Sequence, residues 1–335
     1  MITFRKISLG LCAVITLSFT SLSAQNVKWL AEDFNLKGYP KKVHITSYDP
    51  KDKTQTLING EQRKSFTDDY ILEFNQKREV TDRQNFINTA KDRYVKYFYD
   101  NKRHLTKEVL YELSGKIVSR IEYKYNHLGR MAEQITTDFP KSLDGVNTET
   151  EHYTFEYKNG LLHKKNTFIG GKLGIITEYT YGSADSLIME TNTFLYNKNV
   201  EYINYKRDFN NNVSEKTHIR NDKQIRREVY TLDKTFRLVS KQIFDGDNNL
   251  RYTYDYTYDQ WNNVLSEIGH DANGKVIMEY YFKYTYDDTL NWIKRIRYDS
   301  WDVHRIDERQ IEYWDKMHYD DYKRDNTVPI KYLDE

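Results

Sequence analysis

The 335-residue chain is nearly neutral, with 51 Lys and Arg against 50 Asp and Glu. With both signs interspersed, it lacks the basic footprint of a nucleic-acid binder. A single cysteine, Cys12, excludes a disulfide framework, and 30 Tyr beside 15 Phe point to folded β-structure rather than disorder.

Residues 1–24 have the layout of a secretory signal peptide. Arg5 and Lys6 precede an apolar run from Ile7 to Phe19, and small residues follow up to Ala24. Cleavage there removes Cys12 and takes the net charge from +1 to −1. The expected protein is exported, to the periplasm, the cell surface or the medium. It keeps no second apolar run able to span a membrane as a helix. Residues 25–66 form an N-terminal lead-in. Val27–Phe34 reads as a short helix or loose strand, residues 36–40 as a turn, residues 43–49 as a strand, and Gly60 marks a loop.

From residue 67 to 316 one phrase recurs. An aromatic, one residue and an anchor are followed by a turn of about five residues and a closing apolar residue. The anchors are Phe74, Tyr99, Tyr125, Tyr157, Tyr181, Arg207, Leu232, Tyr258 and Tyr286, at spacings of 24 to 32 residues. The closing residues are Val80, Leu105, Met131, Leu161, Leu187, Val213, Leu238, Val264 and Trp292, and Tyr313 reads as the start of a tenth copy. A second turn rich in Gly, Asn and Asp falls midway between anchors, as at Gly115, Gly170–Gly171 and Gly274. Residues 139–145 read as a loop insertion. Each unit is therefore two strands and two turns, at a period typical of repeat architectures. The expected fold is all-β: an antiparallel hairpin meander forming one long twisted or curled sheet of about 18–20 strands. Residues 317–335 form a charged tail.

Tyr123-Lys-Tyr125-Asn126-His-Leu-Gly129-Arg-Met131 resembles the YD repeat of the RHS family, and Tyr258-Asp259 and Tyr286-Asp287 carry the Tyr-Asp pair itself. The resemblance implies an extracytoplasmic setting. Large members of that family wind hairpins into a hollow shell around a toxin segment, and others are implicated in carbohydrate binding. This chain departs from them where Arg103, Phe236, Leu290 and either Asn262 or Asn263 replace the turn glycine. Nine units are too few for a large shell, and no toxin domain follows.

No catalytic signature is present. The nine His form no zinc motif, and no nucleophile elbow or phosphate loop occurs. Asp245-Gly-Asp247-Asn-Asn249 has alternating oxygen donors, but it lacks the Gly and Glu of a calcium loop and reads as a turn. No cofactor or metal is expected. The candidate ligand-binding residues are Trp261, Trp292, Trp301 and Trp314, since exposed indoles can stack on a sugar ring or anchor a partner. The expected function is non-catalytic: a binding or scaffold surface for a cell-surface glycan or envelope protein. The alternative is a structural part of surface assembly or secretion. A glycosidase is less favoured, and so is an outer-membrane barrel, because the face opposite the Tyr ladder is charged.

Overall fold

The computed structural model describes residues 29–49, 63–64, 69–87, 90–139 and 148–314. The signal peptide, the Gly60 loop and the charged tail lie outside these residues, as does most of the 139–145 insertion. A short 3-10 helix, Ala31–Phe34, leads into the strands. They begin with β1 (Pro40–Asp49), β2 (Arg63–Lys64), β3 (Asp69–Phe74), β4 (Val80–Ile87), β5 (Ala90–Tyr99), β6 (Leu105–Tyr111) and β7 (Ile117–Tyr125). Next come β8 (Met131–Asp138), β9 (Thr148–Lys158), β10 (Leu161–Ile169), β11 (Lys172–Tyr181), β12 (Leu187–Phe194), β13 (Asn199–Arg207) and β14 (Val213–Arg220). The last are β15 (Lys223–Leu232), β16 (Leu238–Asp245), β17 (Leu250–Tyr258), β18 (Val264–Asp271), β19 (Val276–Tyr286), β20 (Trp292–Tyr298) and β21 (Val303–Tyr313).

From β3 onward every strand pairs antiparallel with the next. The expected open sheet is corrected at its ends. β21 does not present a free edge; it pairs along β1, with Val43 opposite Ile311 and Ser47 opposite Asp307. β1 pairs on its other side with β3, Val43 opposite Leu72. The two-residue β2 pairs only the end of β1 and stands outside the ring. The remaining 20 of the 21 strands therefore form a closed barrel. Closure leaves no exposed ladder of unpaired backbone groups, which an open sheet of this size would carry at both edges.

Seven of the nine anchor-end turns share one geometry, the exceptions being those after Tyr157 and Tyr181. The Asp or Asn after the anchor accepts from the backbone N–H groups two and four residues on: Asp100 from Lys102 and His104, Asn126 from Leu128 and Arg130, Asp287 from Thr289 and Asn291. The residue three on takes positive φ. Gly129 does so, and so do Arg103 (φ 68), Phe236 (φ 63), Asn262 (φ 66) and Leu290 (φ 62). The residues that stand in for the turn glycine thus hold the left-handed conformation glycine would adopt freely, at a cost of about 1–2 kcal/mol each. The side-chain acceptor offsets that cost.

The anchors share a second interaction. The hydroxyls of Tyr99, Tyr125, Tyr157, Tyr181 and Tyr258 donate to the carbonyls of Val80, Leu105, Met131, Leu162 and Leu238, the closing residues of the preceding hairpins. Arg207 makes the equivalent bond to Leu187 through its Nε. The fourth copy departs from expectation: Leu162, not Leu161, is buried and lies opposite Tyr157. Closing residues and rings form successive buried clusters, such as Leu105, Tyr123 and Met131, then Leu162, Tyr179 and Leu187, then Val213, Tyr230 and Leu238. The core is therefore a band near the anchor end, not a central mass.

Tyr125→Phe removes one hydroxyl bond while keeping the ring, and is expected to cost about 1 kcal/mol in denaturant unfolding. The turn carboxylates give a pH dependence. Burial raises the carboxyl of Asp233, but the Arg237 N–H and guanidinium and the Thr235 donors outweigh it and hold it at about 2. The Asp302 N–H, against a smaller burial effect, and then the Trp301 N–H and His304 hold Asp299 at about 2. Both lie below the ordinary 3.8, so their contribution is complete above that value and is lost as pH falls through about 2. Melting temperature should drop over that window. Asp233→Asn, which keeps the acceptor without the titration, should blunt the drop.

Candidate functional site

The Tyr ladder faces inward. The segment Trp29–Tyr39 shows this, because it touches ladder-face residues on both sides of the β21–β1 junction. The Trp29 indole donates to Glu108 on β6 at 3.1 Å and packs on Tyr97 of β5. Further along, Asn35 donates to Asn263, and the Lys37 N–H donates to Asn291 at 2.6 Å. A segment that reaches β6 and the turn before β18 together lies on the concave side. It therefore lies across the anchor end of the barrel, with Ala31 and Leu36 fully buried beneath it.

Arg309 on β21 fastens the segment. Its Nη2 donates to the Phe34 carbonyl at 2.8 Å, and its guanidinium lies 3.4 Å from the centroid of the Trp292 ring. Burial pushes it down to about 9, since no carboxylate is bonded to it among the described residues. The cation is held by carbonyls and a ring face, which makes it a specific but costly latch.

Below the latch, the inward face differs from wall to wall. Around β13–β16, cations and acids are matched. Glu228 takes Lys241 at 3.2 Å and the Tyr230 hydroxyl, and Glu190 takes the Tyr205 hydroxyl. Lys216 stands over the Tyr205 ring and, mainly through burial, is pushed below the usual lysine value. Near the β20–β21 junction, arginines predominate. Arg295 and Arg305 share one carboxylate, Asp307, which is 2% exposed. Arg297 has no carboxylate in contact among the described residues and lies over the Tyr280 ring at 4.9 Å.

The four tryptophans are divided between the two ends. Trp292 is 6% exposed, beneath Arg309. Trp261 sits in an anchor-end turn with the Lys37 ammonium 4.5 Å from its centroid, and Trp314 lies beside Lys41 at 5.3 Å. Trp301 is 83% exposed in the Asp299 turn at the opposite end. They form no single platform. A shallow groove of about 250 Å³ at that opposite end is lined by Phe194, Tyr196, Asn199, Glu201 and Arg220. Among the described residues no group of His, Cys, Asp or Glu is arranged to hold a metal. The Asp245 carboxylate accepts from the Asp247 and Asn249 N–H groups, as a turn residue does.

Trp29, Arg297 and Arg309 were not singled out from the sequence. Arg295-Ile-Arg297 carries a visible signal, since residues two apart on a strand share a face. That Arg305 lies opposite Arg297 depends on strand register, which spacing alone does not give.

Arg309→Gln should loosen the Trp29–Tyr39 segment while leaving the ring paired. Amide exchange at Ala31 and Leu36 should quicken by an order of magnitude or more, with exchange in β14–β16 unchanged.

No family model and no curated protein matches the chain. Solved structures align loosely. A porin-like protein from Bacteroides uniformis shares 11% identity over 83% of this chain and 98% of its own, at a TM-score of 0.35. A porin-like protein from Bacteroides vulgatus shares 10% over 83% and 99%, at 0.28. The structure titled TcdB2-TccC3-Cdc42 shares 9% over 68% of this chain, which spans only 15% of that one, at 0.28. At these scores none of the three informs the function.

Proposed function

We propose that this is an exported, non-catalytic binding barrel that stands in water and takes a polar ligand, foremost a carbohydrate, into its lumen. The observation that carries the reading is the contrast between its two faces. The inward face has rings and ionic groups within reach of one another, suited to stacking on sugar rings and bonding their hydroxyls. Twenty strands enclose more room than side chains fill in an eight-stranded barrel. The Trp29–Tyr39 segment lies over the anchor end beside the β21–β1 junction and narrows the lumen there. The signal-peptide layout and the likeness of the hairpin phrase to YD repeats support an extracytoplasmic setting.

A second reading, an outer-membrane barrel, is favoured by the closed ring and its even strand number. The outward face weighs against it. Ion pairs stud it at strand positions: Lys124–Glu133, Lys206–Glu215 at 2.7 Å, Arg227–Glu215 at 3.2 Å and Lys294–Glu308 at 2.9 Å. A lysine or arginine facing lipid at the bilayer midplane costs about 2–4 kcal/mol, so several would outweigh the gain from a partial apolar band. Strands such as β6 and β20, at 7 residues, are also shorter than the roughly 9–11 that a spanning strand needs.

The protein should purify without detergent as a monodisperse particle and bind oligosaccharides on a glycan array. Tyr254→Ala, on the inward face, should weaken binding tenfold or more, while the outward-facing Lys283→Ala should leave it unchanged. Recovery only in detergent with heat-modifiable migration would replace this reading with the membrane barrel. An array without any binder would remove the carbohydrate ligand.

A further inference from the structure

Arg297 and Arg305 are direct cross-strand partners in the β20–β21 pairing. They share a face, because Arg295 lies opposite Asp307 one step along and the two are ion-paired at 2.7 Å. Like charges directly opposite each other destabilise a sheet. On the wall around β13–β16 such cations have acids beside them, whereas here Asp307 is already committed to Arg295 and Arg305. It accepts from Arg295 at 2.9 and 2.7 Å and from Arg305 at 2.6 Å, and the Ser47 hydroxyl adds a further bond.

Arg297 is left differently placed. Its Nε is buried and has no hydrogen-bond partner, although the side chain as a whole keeps part of its surface exposed. Its guanidinium is oriented by the Tyr280 ring, which in turn meets the His304 ring edge-on at 5.6 Å. The acid whose charge it feels is Glu267, but no ion pair joins them among the described residues, and burial already raises the Glu267 carboxyl. A buried guanidinium N–H without an acceptor is destabilising. An oxyanion with two or three oxygens, meeting the part of the Arg297 side chain that stays exposed, would supply the counter-charge that no ion pair gives it among the described residues.

We propose that the inward wall between Arg297 and Arg305 is an oxyanion-binding site. It takes a carboxylate, sulfate or phosphate group, held by Arg297 in fork geometry beside Tyr280. The inference rests on the reading of the lumen as the binding surface and names the chemistry of its ligand. A uronic-acid or sulfated sugar fits both features, with the acidic group on Arg297 and the ring near Tyr280 and Tyr254. Free inorganic phosphate or sulfate presents the same oxygens without the ring.

The test is calorimetric titration of the full exported chain at low ionic strength. The probes are sodium phosphate, sodium sulfate, trigalacturonate and neutral maltotriose, with chloride matched. Saturable binding of at least one anionic probe is expected. Arg297→Gln should weaken it tenfold or more, and Arg297→Lys should weaken it less. Trigalacturonate binding more tightly than phosphate assigns the oxyanion to a saccharide, and equal affinity assigns it to the free anion. A melting curve guards against misfolding: in anion-free buffer Arg297→Gln should melt higher than the native chain, and sulfate should stabilise only the native chain. The site is overturned if no anion saturates or if Arg297→Gln binds as well as the native protein. Maltotriose binding that survives in either case would leave the lumenal carbohydrate reading standing without the oxyanion site.

Discussion

Six of the nine repeat hairpins lean on the one before through a single bond, from the anchor side chain to the carbonyl of the preceding closing residue. The donor is a Tyr hydroxyl in Tyr99, Tyr125, Tyr157, Tyr181 and Tyr258, and a guanidinium in Arg207. The bond fixes how far one strand pair can slide on the next, and so it fixes register around the ring. It also explains why the chain uses Tyr so heavily. A Phe would fill the same band but leave those carbonyls facing apolar surface, and burying a carbonyl without a donor is costly. Net gains near 1 kcal/mol per bond are small singly, but repetition makes them decisive for which register wins.

A ladder of this kind accumulates twist, and what it becomes depends on its two ends. Tyr313 behaves as one more anchor, donating to Asp287 and accepting from Asn291 of the preceding hairpin. The strand it ends then meets β1, which comes from outside the periodic stretch. The lead-in thus supplies two things the repeat cannot: the strand that joins first to last, and the Trp29–Tyr39 segment that lies over one end. Arg309 links them, since it sits on the last strand and holds the carbonyls of Phe34 and Asn35. Its missing carboxylate suits a latch. A salt bridge would satisfy Arg309 without the segment, whereas carbonyl partners make its desolvation depend on the segment being in place.

The hairpins were legible because their signals are local. Period-two rings, Asp or Asn followed by a turn, and a closing apolar residue all lie within a dozen residues, and even the left-handed positions of Phe236 and Leu290 stand where the phrase puts glycine. Closure was not legible, because the pairing of Val43 with Ile311 spans most of the chain and neither segment carries the repeat phrase intact. The slip from Leu161 to Leu162 has a smaller cause. A tight Asn159–Gly160 turn with two positive-φ residues replaces the longer one and shifts the apolar position by one. The candidate tryptophans illustrate a further limit. Sequence clustering in the last third placed them together, yet strand direction sends Trp301 to one end and Trp261 to the other.

Closure changes what the charges mean. On an open sheet both faces meet bulk water, and an exposed ion pair contributes little. In a barrel the inward groups face one another across a confined space, where screening is weaker and an unmatched cation raises the potential for every group around it. The matched acids and lysines around Glu190 and Glu228 keep that wall near neutrality. The junction of β20 and β21 is built differently, with Arg295 and Arg305 sharing Asp307 and Arg297 directly opposite Arg305. The proposed oxyanion site would give the lumen a direction, since an anion would be drawn toward this junction rather than toward the balanced wall.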